Sequence, residues 1–286
     1  MEKGDRMKKK KSISPAARRG LFRMLLNTGR ATVGDICKAT GVAGAQARKV
    51  IDEEISAGVV EKRARGEGHA NVYTFSKKAR CIITDKRGDK PCIYIYDFSR
   101  RGFTKYITGA NTGRSTPQGS DKALSERVKE LTRDCAVVSE IQIARLASDK
   151  TADDGGVITE SVTSLLVSYL SACSEYGKCI VADCSEDAKV ASVAENGRII
   201  LNADLSFLTP DGQDTYGYLC RTAEAMLRMF SPDILLITAK DLDLDCAGKV
   251  REFLSARELD CFTVIFKDRN EEEILRLALE KGLSLI

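Results

Sequence analysis

The stretch Thr32–Gly58, TVGDICKATGVAGAQARKVIDEEISAG, decides how the first third of the chain is read. Thr32 followed by Asp35 imitates a capping box, with Asp in place of the usual Glu or Gln. Ile36, Ala39 and Val42 then face inward from a short helix and the Thr40-Gly41-Val42 turn. A second helix places Ala47, Val50, Ile51 and Ile55 on its buried side and stops at Gly58, which supplies the left-handed residue after a helix end. Upstream, Ser14-Pro15 is a sound helix start, and Leu21, Met24 and Leu25 share one face beside Phe22. Downstream, VVEKRARGEGHANVYTF (59–75) reads as two short strands around a basic, glycine-containing tip. Over residues 14–78 this order predicts a winged helix-turn-helix, a module whose second motif helix enters the DNA major groove.

That helix leaves Gly44, Ala45, Gln46, Arg48 and Lys49 in its first two turns, where an inserted helix meets base edges. Gln46 can read adenine, Arg48 can read guanine, and Lys49 suits a phosphate. Ala43 is a weak N-cap, so this start is the least specified of the three. The acidic Asp52-Glu53-Glu54 cluster is expected where the helix leaves the groove. In the wing, Lys62, Arg63 and Arg65 precede His69, the only histidine of the chain, with phosphate or the minor groove as their expected contact.

Charge agrees. Residues 1–80 hold 19 Lys/Arg against 8 Asp/Glu, a net of +11, whereas the rest holds 26 against 33, a net of −7. A basic first third on an acidic body is the electrostatic footprint of a nucleic-acid binder. Lys8–Lys11, within residues 1–13, read as a basic disordered arm. No apolar run is long enough to span a bilayer, and no apolar stretch follows the charged start, so neither a membrane span nor a secretory signal is expected. The ten cysteines include no CxxC, and the Cys173, Cys179, Cys184 group has gaps unlike zinc spacings. They are expected to be reduced thiols of a cytoplasmic protein, with no metal or cofactor.

Residues 79–286 read as α/β. CIITDKRG, PCIYIYDFSRRG and FTKYITG form a β-meander with turns at Arg87-Gly88 and Arg101-Gly102. A polar linker (111–120), a helix over 121–134 and the strand AVVSEIQIA follow. Then come a helix near 159–174, a strand at 178–182, a helix over Ser185–Glu195 and the strand RIILNA. Helix 215–230, strand ILLIT, helix 245–257, strand CFTVIF and helix 271–281 complete the order, a layered α/β body.

On these motifs the chain resembles the ROK family of repressors and sugar kinases. TGVAGAQARKVIDEEISAGVVEK is similar to the recognition segment of its repressors. ITDKRGDKPCIYIYDFSRRG is similar to the opening phosphate-loop hairpin, with Asp85 and Asp97 in place of its aspartates. EDAKVASVAE (186–195) resembles the NDANAAALAE helix, and SPDILLITAKDL (231–242) resembles the DPxxIVLGG segment near the adenosine site. The resemblance implies an actin-like (ribonuclease H-like) α/β domain, here reduced, behind the winged helix-turn-helix. It also places Asp187 where the kinases carry their catalytic base.

The departures imply lost catalysis. Glu186 and Lys189 replace two asparagines, Lys240-Asp241 replaces a glycine pair, and DKRGDK has lost most glycines of a phosphate cradle. After Asp204, LSFLTPDGQD stands where a glycine-rich second phosphate loop is expected. The histidines and cysteines of the zinc-and-sugar segment are missing. Asp187 and Asp85 thus read as remnants of a pseudokinase. The expected function is a dimeric, double-stranded-DNA-binding transcriptional regulator, a repressor, whose body dimerises and can sense a small-molecule effector. The alternatives are a residual sugar kinase or ATPase with a DNA-binding appendage, and a winged-helix adaptor that binds protein.

Overall fold

The computed structural model describes residues 14–63, 70–87, 91–108, 117–145, 157–173, 176–185, 188–208, 215–240, 244–268 and 270–284. Its first elements start and stop where the local chemistry directs. Helix α1 (Pro15–Thr28) begins at Ser14, whose hydroxyl accepts from the Ala17 amide at 3.4 Å, and ends at Gly29 with φ of 77°. Helix α2 (Val33–Thr40) carries a complete capping box. The Asp35 amide donates to the Thr32 hydroxyl at 3.2 Å, and the Thr32 amide donates to the Asp35 carboxylate at 2.9 Å. The Thr32 hydroxyl also donates to the Asp35 carboxylate at 2.8 Å, and this bond and that from the Thr32 amide hold the carboxyl below its ordinary value. Thr32→Ala is expected to cost about 1 kcal/mol, read as a lower midpoint in thermal unfolding, while Thr32→Ser should keep most of the stability.

Gly41 (φ 70°) turns the chain into α3 (Gly44–Ser56), which ends before Gly58 (φ 74°). Strands β1 (Val60–Arg63) and β2 (Val72–Phe75) then pair antiparallel. Leu21, Phe22, Leu25, Ile36, Ala47, Val50 and Ile51 are all buried between these elements, as the periodicity predicts. Met24, Val42 and Ile55 are only half-buried, and Ala39, expected to face inward, is exposed. Glu54 corrects the expected acidic cluster: it is buried and accepts from Arg18 Nε of α1 at 2.6 Å. An inward carboxylate is tolerable there because its charge is paired on the spot.

The body holds two five-stranded sheets with the same plan. The first contains β3 (Ala79–Asp85), β4 (Cys92–Asp97), β5 (Gly102–Ile107), β6 (Ala136–Ile143) and β7 (Ile158–Glu160), in the order β5-β4-β3-β6-β7. The second contains β8 (Lys178–Asp183), β9 (Val190–Glu195), β10 (Arg198–Asp204), β11 (Ile234–Ala239) and β12 (Thr263–Asp268), in the order β10-β9-β8-β11-β12. In each, three strands form an antiparallel meander and two more add in parallel to the first strand. Helix α4 (Pro117–Thr132) covers one face of the first sheet through Leu124 and Val128. Helices α6 (Thr215–Phe230) and α7 (Leu244–Ser255) cover one face of the second. Between the sheets lie α5 (Val162–Cys173), packed on β8 and β9, and α8 (Glu271–Ser284), packed on β3 and β6.

The main departure from the sequence reading is at 185–195. The expected helix is not formed: Val190–Glu195 is strand β9, buried between β8 and β10 along all but its last residue. A short run buried on both faces has no period that separates helix from strand. The turn after it does, since Asn196 (φ 51°) and Gly197 (φ 77°) are both left-handed, as a type I′ hairpin requires. Smaller shifts are β7, a three-residue strand read as helix, and α4, which begins at Pro117 within the expected linker. Among the described residues, no helix is long and apolar enough to cross a membrane.

Candidate nucleic-acid interface

Because Ala47, Val50, Ile51 and Glu54 face inward, α3 must turn its other side to solvent. Gln46, Arg48, Lys49 and Asp52 are exposed there. Lys49 Nζ lies 3.9 Å from Glu53 Oε1 one turn on, an exposed pair that a stronger anion can displace. Gly44, at the first position of α3, also faces α2. A Cβ built on it would point at Val33 and Cys37 of α2, at 3.9 and 4.0 Å, so this position serves the packing of α2 on α3.

The helix begins without a side-chain cap, since Ala43 makes no capping hydrogen bond. Beyond it, β1 packs against α3 and carries exposed Lys62 and Arg63. Arg63 is held loosely, 3.4 Å from Glu61. Arg65 and His69 lie outside the described residues. The outer side of α3 and the hairpin therefore present Gln46, Arg48, Lys49, Lys62 and Arg63. These are hydrogen-bonding and cationic groups of the kind that contact base edges and phosphates.

The cleft between the two sheets is the other place where chemistry was expected. Asp85 ends β3, and both of its carboxylate oxygens are held by Arg87, at 2.9 and 2.6 Å. The Arg87 guanidinium is almost wholly buried and also lies 3.5 Å from Glu271 of α8, which accepts from Tyr94 Oη at 3.0 Å. The second sheet repeats the placement. Asp183 ends β8, fully buried, and accepts from the Ser185 amide at 3.1 Å. This partner of Asp85 was not singled out in the sequence, although "strand ending in Asp" occurs in both ITD and VAD. Asp187 lies outside the described residues, and the helix meant to carry it is replaced by β9.

Arg145, just after β6, links the first sheet to the second. It donates to the Ala188 carbonyl at 2.8 Å and to Asp204 at 3.0 Å. Asp97 does not face this cleft. It ends β4 and pairs with Arg80 at 2.9 Å, close to the N-terminal elements.

No protein-family model matches the sequence, and no curated protein matches it. Solved structures do. A ROK family transcriptional regulator, a homolog of the E. coli MLC protein, superposes with a TM-score of 0.56 over 94% of this chain and 96% of its own, at 10% identity. The chain shares that regulator's fold. A Bacteroides thetaiotaomicron protein with an actin-like ATPase fold aligns at a TM-score of 0.42 and 10% identity, over 70% of this chain and 96% of its own. A glucokinase from Parabacteroides distasonis aligns at 0.44 and 9%, over 73% and 99%. The two mixed five-stranded sheets are consistent with an actin-like ATPase fold.

Proposed function

We propose that the chain is a double-stranded-DNA-binding transcriptional regulator, a repressor, built as a winged helix-turn-helix (14–78) on a catalytically inactive actin-like body (79–286). The observation that carries this reading is the outer side of α3. Gln46, Arg48 and Lys49 are exposed on a helix whose other side is sealed into a core, within a segment of net charge +11. A surface of that kind is matched by phosphates and base edges. The likeness to the ROK regulator along nearly the whole chain supports it.

The body's inactivity rests on donor chemistry. A nucleotide–magnesium centre in an actin-like cleft needs carboxylates open to the cation and backbone amides open to phosphate. Here Arg87 occupies both oxygens of Asp85. Arg145 ties the β8–β9 connection to the opposite side. These residues do not fit such a group. The body instead dimerises the cytoplasmic protein, which sets the spacing of two recognition helices, and its cleft offers a place for an effector.

Fluorescent random duplex DNA titrated with and without ATP–magnesium tests the reading. Tight binding that ignores ATP is expected, and absence of binding at low salt overturns it. Arg48→Ala should weaken specific binding by about 1–3 kcal/mol and relax base choice, whereas Lys62→Ala should weaken binding to every sequence alike. Competition titrations against the selected site and random duplex separate the two.

A further inference from the structure

A cavity of about 510 Å³ opens between the N-terminal elements and the first sheet, away from the inter-sheet cleft. Its apolar side is Leu25 with Phe75 and Phe98, whose rings stack at 4.1 Å. Around this floor stand five cations, Arg63, Lys77, Arg80, Arg100 and Arg101, against two carboxylates, Glu61 and Asp97. Both carboxylates are already engaged. Asp97 is paired with Arg80 and accepts from the Ser99 and Arg100 amides at 2.8 and 3.1 Å, while Glu61 lies 3.4 Å from Arg63. Burial raises the Asp97 pKa, yet these hydrogen bonds and Arg80 together hold it below the ordinary value, so it stays charged and committed to its partners. Lys77 and Arg101 have no ion-pair partner among the described residues.

The turn that presents the arginines is hydrogen-bonded and conformationally costly. The Arg101 amide donates to the Asp97 carbonyl at 2.7 Å, and Arg101 sits at φ of 54°, a left-handed conformation unfavourable for a side chain of its size. Its guanidinium passes over Gly29, the cap of α1, so closely that a Cβ there would lie 2.4 Å from it. One cation of the body is thus seated against the end of the first N-terminal helix.

We propose that this junction cavity binds a small multivalent anion, a phosphate- or carboxylate-bearing metabolite, and through it fixes the N-terminal unit on the body. The volume suits a small ligand. Guanidinium forks match phosphate and carboxylate oxygens in pairs, and the exposed Arg100 side chain, only 3.9 Å from Asp97, is free to turn to a stronger anion. The anion bridges Arg100 and Arg101 of the β4–β5 turn to Lys77, which follows the hairpin. The coupling to DNA rests on the proposed role of the N-terminal unit; the binding of the anion does not.

The test is thermal unfolding and calorimetric titration of the full chain with pyrophosphate and, separately, citrate, each against sodium chloride at matched ionic strength. One of the two should raise Tm by about 2–4 °C at tenfold excess over its Kd, the stronger one telling phosphate from carboxylate chemistry. In R100A/R101G that response should fall at least about tenfold in affinity. Glycine accepts the backbone of residue 101, so folding is preserved, and Lys77→Ala gives a second reading without touching the turn. Arg198→Ala, an exposed cation of β10, controls for general loss of charge. No response beyond chloride, or an unchanged response in both cavity variants, overturns the proposal. So does a loss of DNA binding in R100A/R101G when neither anion binds, since the cavity's cations would then be DNA contacts. If DNA binding fails altogether but the anion response holds, the regulator reading falls and the anion site stands.

Discussion

Phe75→Ala is expected to destabilise the chain by about 3–5 kcal/mol. Phe75 ends β2 and is buried, with its ring stacked on Phe98 at 4.1 Å and facing Phe22 of α1 at 5.9 Å. Phe98 continues into the first sheet through Tyr96, edge-on at 5.1 Å. Removing the central ring leaves a void with aromatic walls on two sides, and the stacking adds to the transfer loss. The same hydrophobic cluster runs from α1 through this stack into the first sheet. The deletion should therefore break cooperativity as well as lower stability, splitting one calorimetric transition into two as the N-terminal unit melts first. A matched deletion at Phe207→Ala, where the ring is 73% exposed, should stay within about 0.5 kcal/mol. A single sharp transition in Phe75→Ala would mean that the stack does not join the two parts.

Raising monovalent salt from 50 to 200 mM should weaken duplex binding by about four orders of magnitude. Each copy presents Arg48, Lys49, Lys62 and Arg63 on α3 and β1. A dimer would then neutralise roughly eight phosphates, giving a slope of log affinity against log salt near −7. The arithmetic discriminates between partners. A protein-binding adaptor releases few counterions, so its affinity would change little over this range. A slope shallower than about −2 would favour the adaptor, and one near half the expected value would favour a single copy on DNA.

What could be read in advance follows from the range of the interactions. The N-terminal unit is specified locally. The hydroxyls of Ser14 and Thr32 accept their capping hydrogen bonds from amides three residues on, and Gly41 and Gly58 carry their left-handed φ whatever lies around them. The exposure of Gln46, Arg48 and Lys49 followed from helical period alone, because the opposite side is apolar. Glu54 falls on the same inward period as Ala47, Val50 and Ile51, but a carboxylate is expected outside, and the partner that makes its burial tolerable, Arg18, is 36 residues away. Strand β9 escaped because Val190–Glu195 is a buried run with no polar face, although Asn196-Gly197 marked the hairpin. Moving that segment from helix to strand also removed the ground for placing a catalytic base at Asp187. The Asp85–Arg87 pair was within reach of the sequence, two residues apart. The Arg145 bridge and the junction cavity join residues dozens of positions apart, and no periodicity encodes such meetings.

Helix α8 has a further consequence for how the chain assembles. It covers β3 and β6 of the first sheet, touches α1, and its Glu271 receives the Tyr94 hydroxyl across 177 residues. Helix α5, encoded between the sheets, covers the second sheet instead. During synthesis the first sheet therefore emerges with one apolar face bare, and that face stays bare until nearly all of the second half has been made. The N-terminal unit, though locally encoded, rests on a support that the ribosome finishes late. A nascent chain must keep Ile83, Ile141 and Ile143 from foreign contacts over that interval, and loss of α8 would be felt at the opposite end of the sequence.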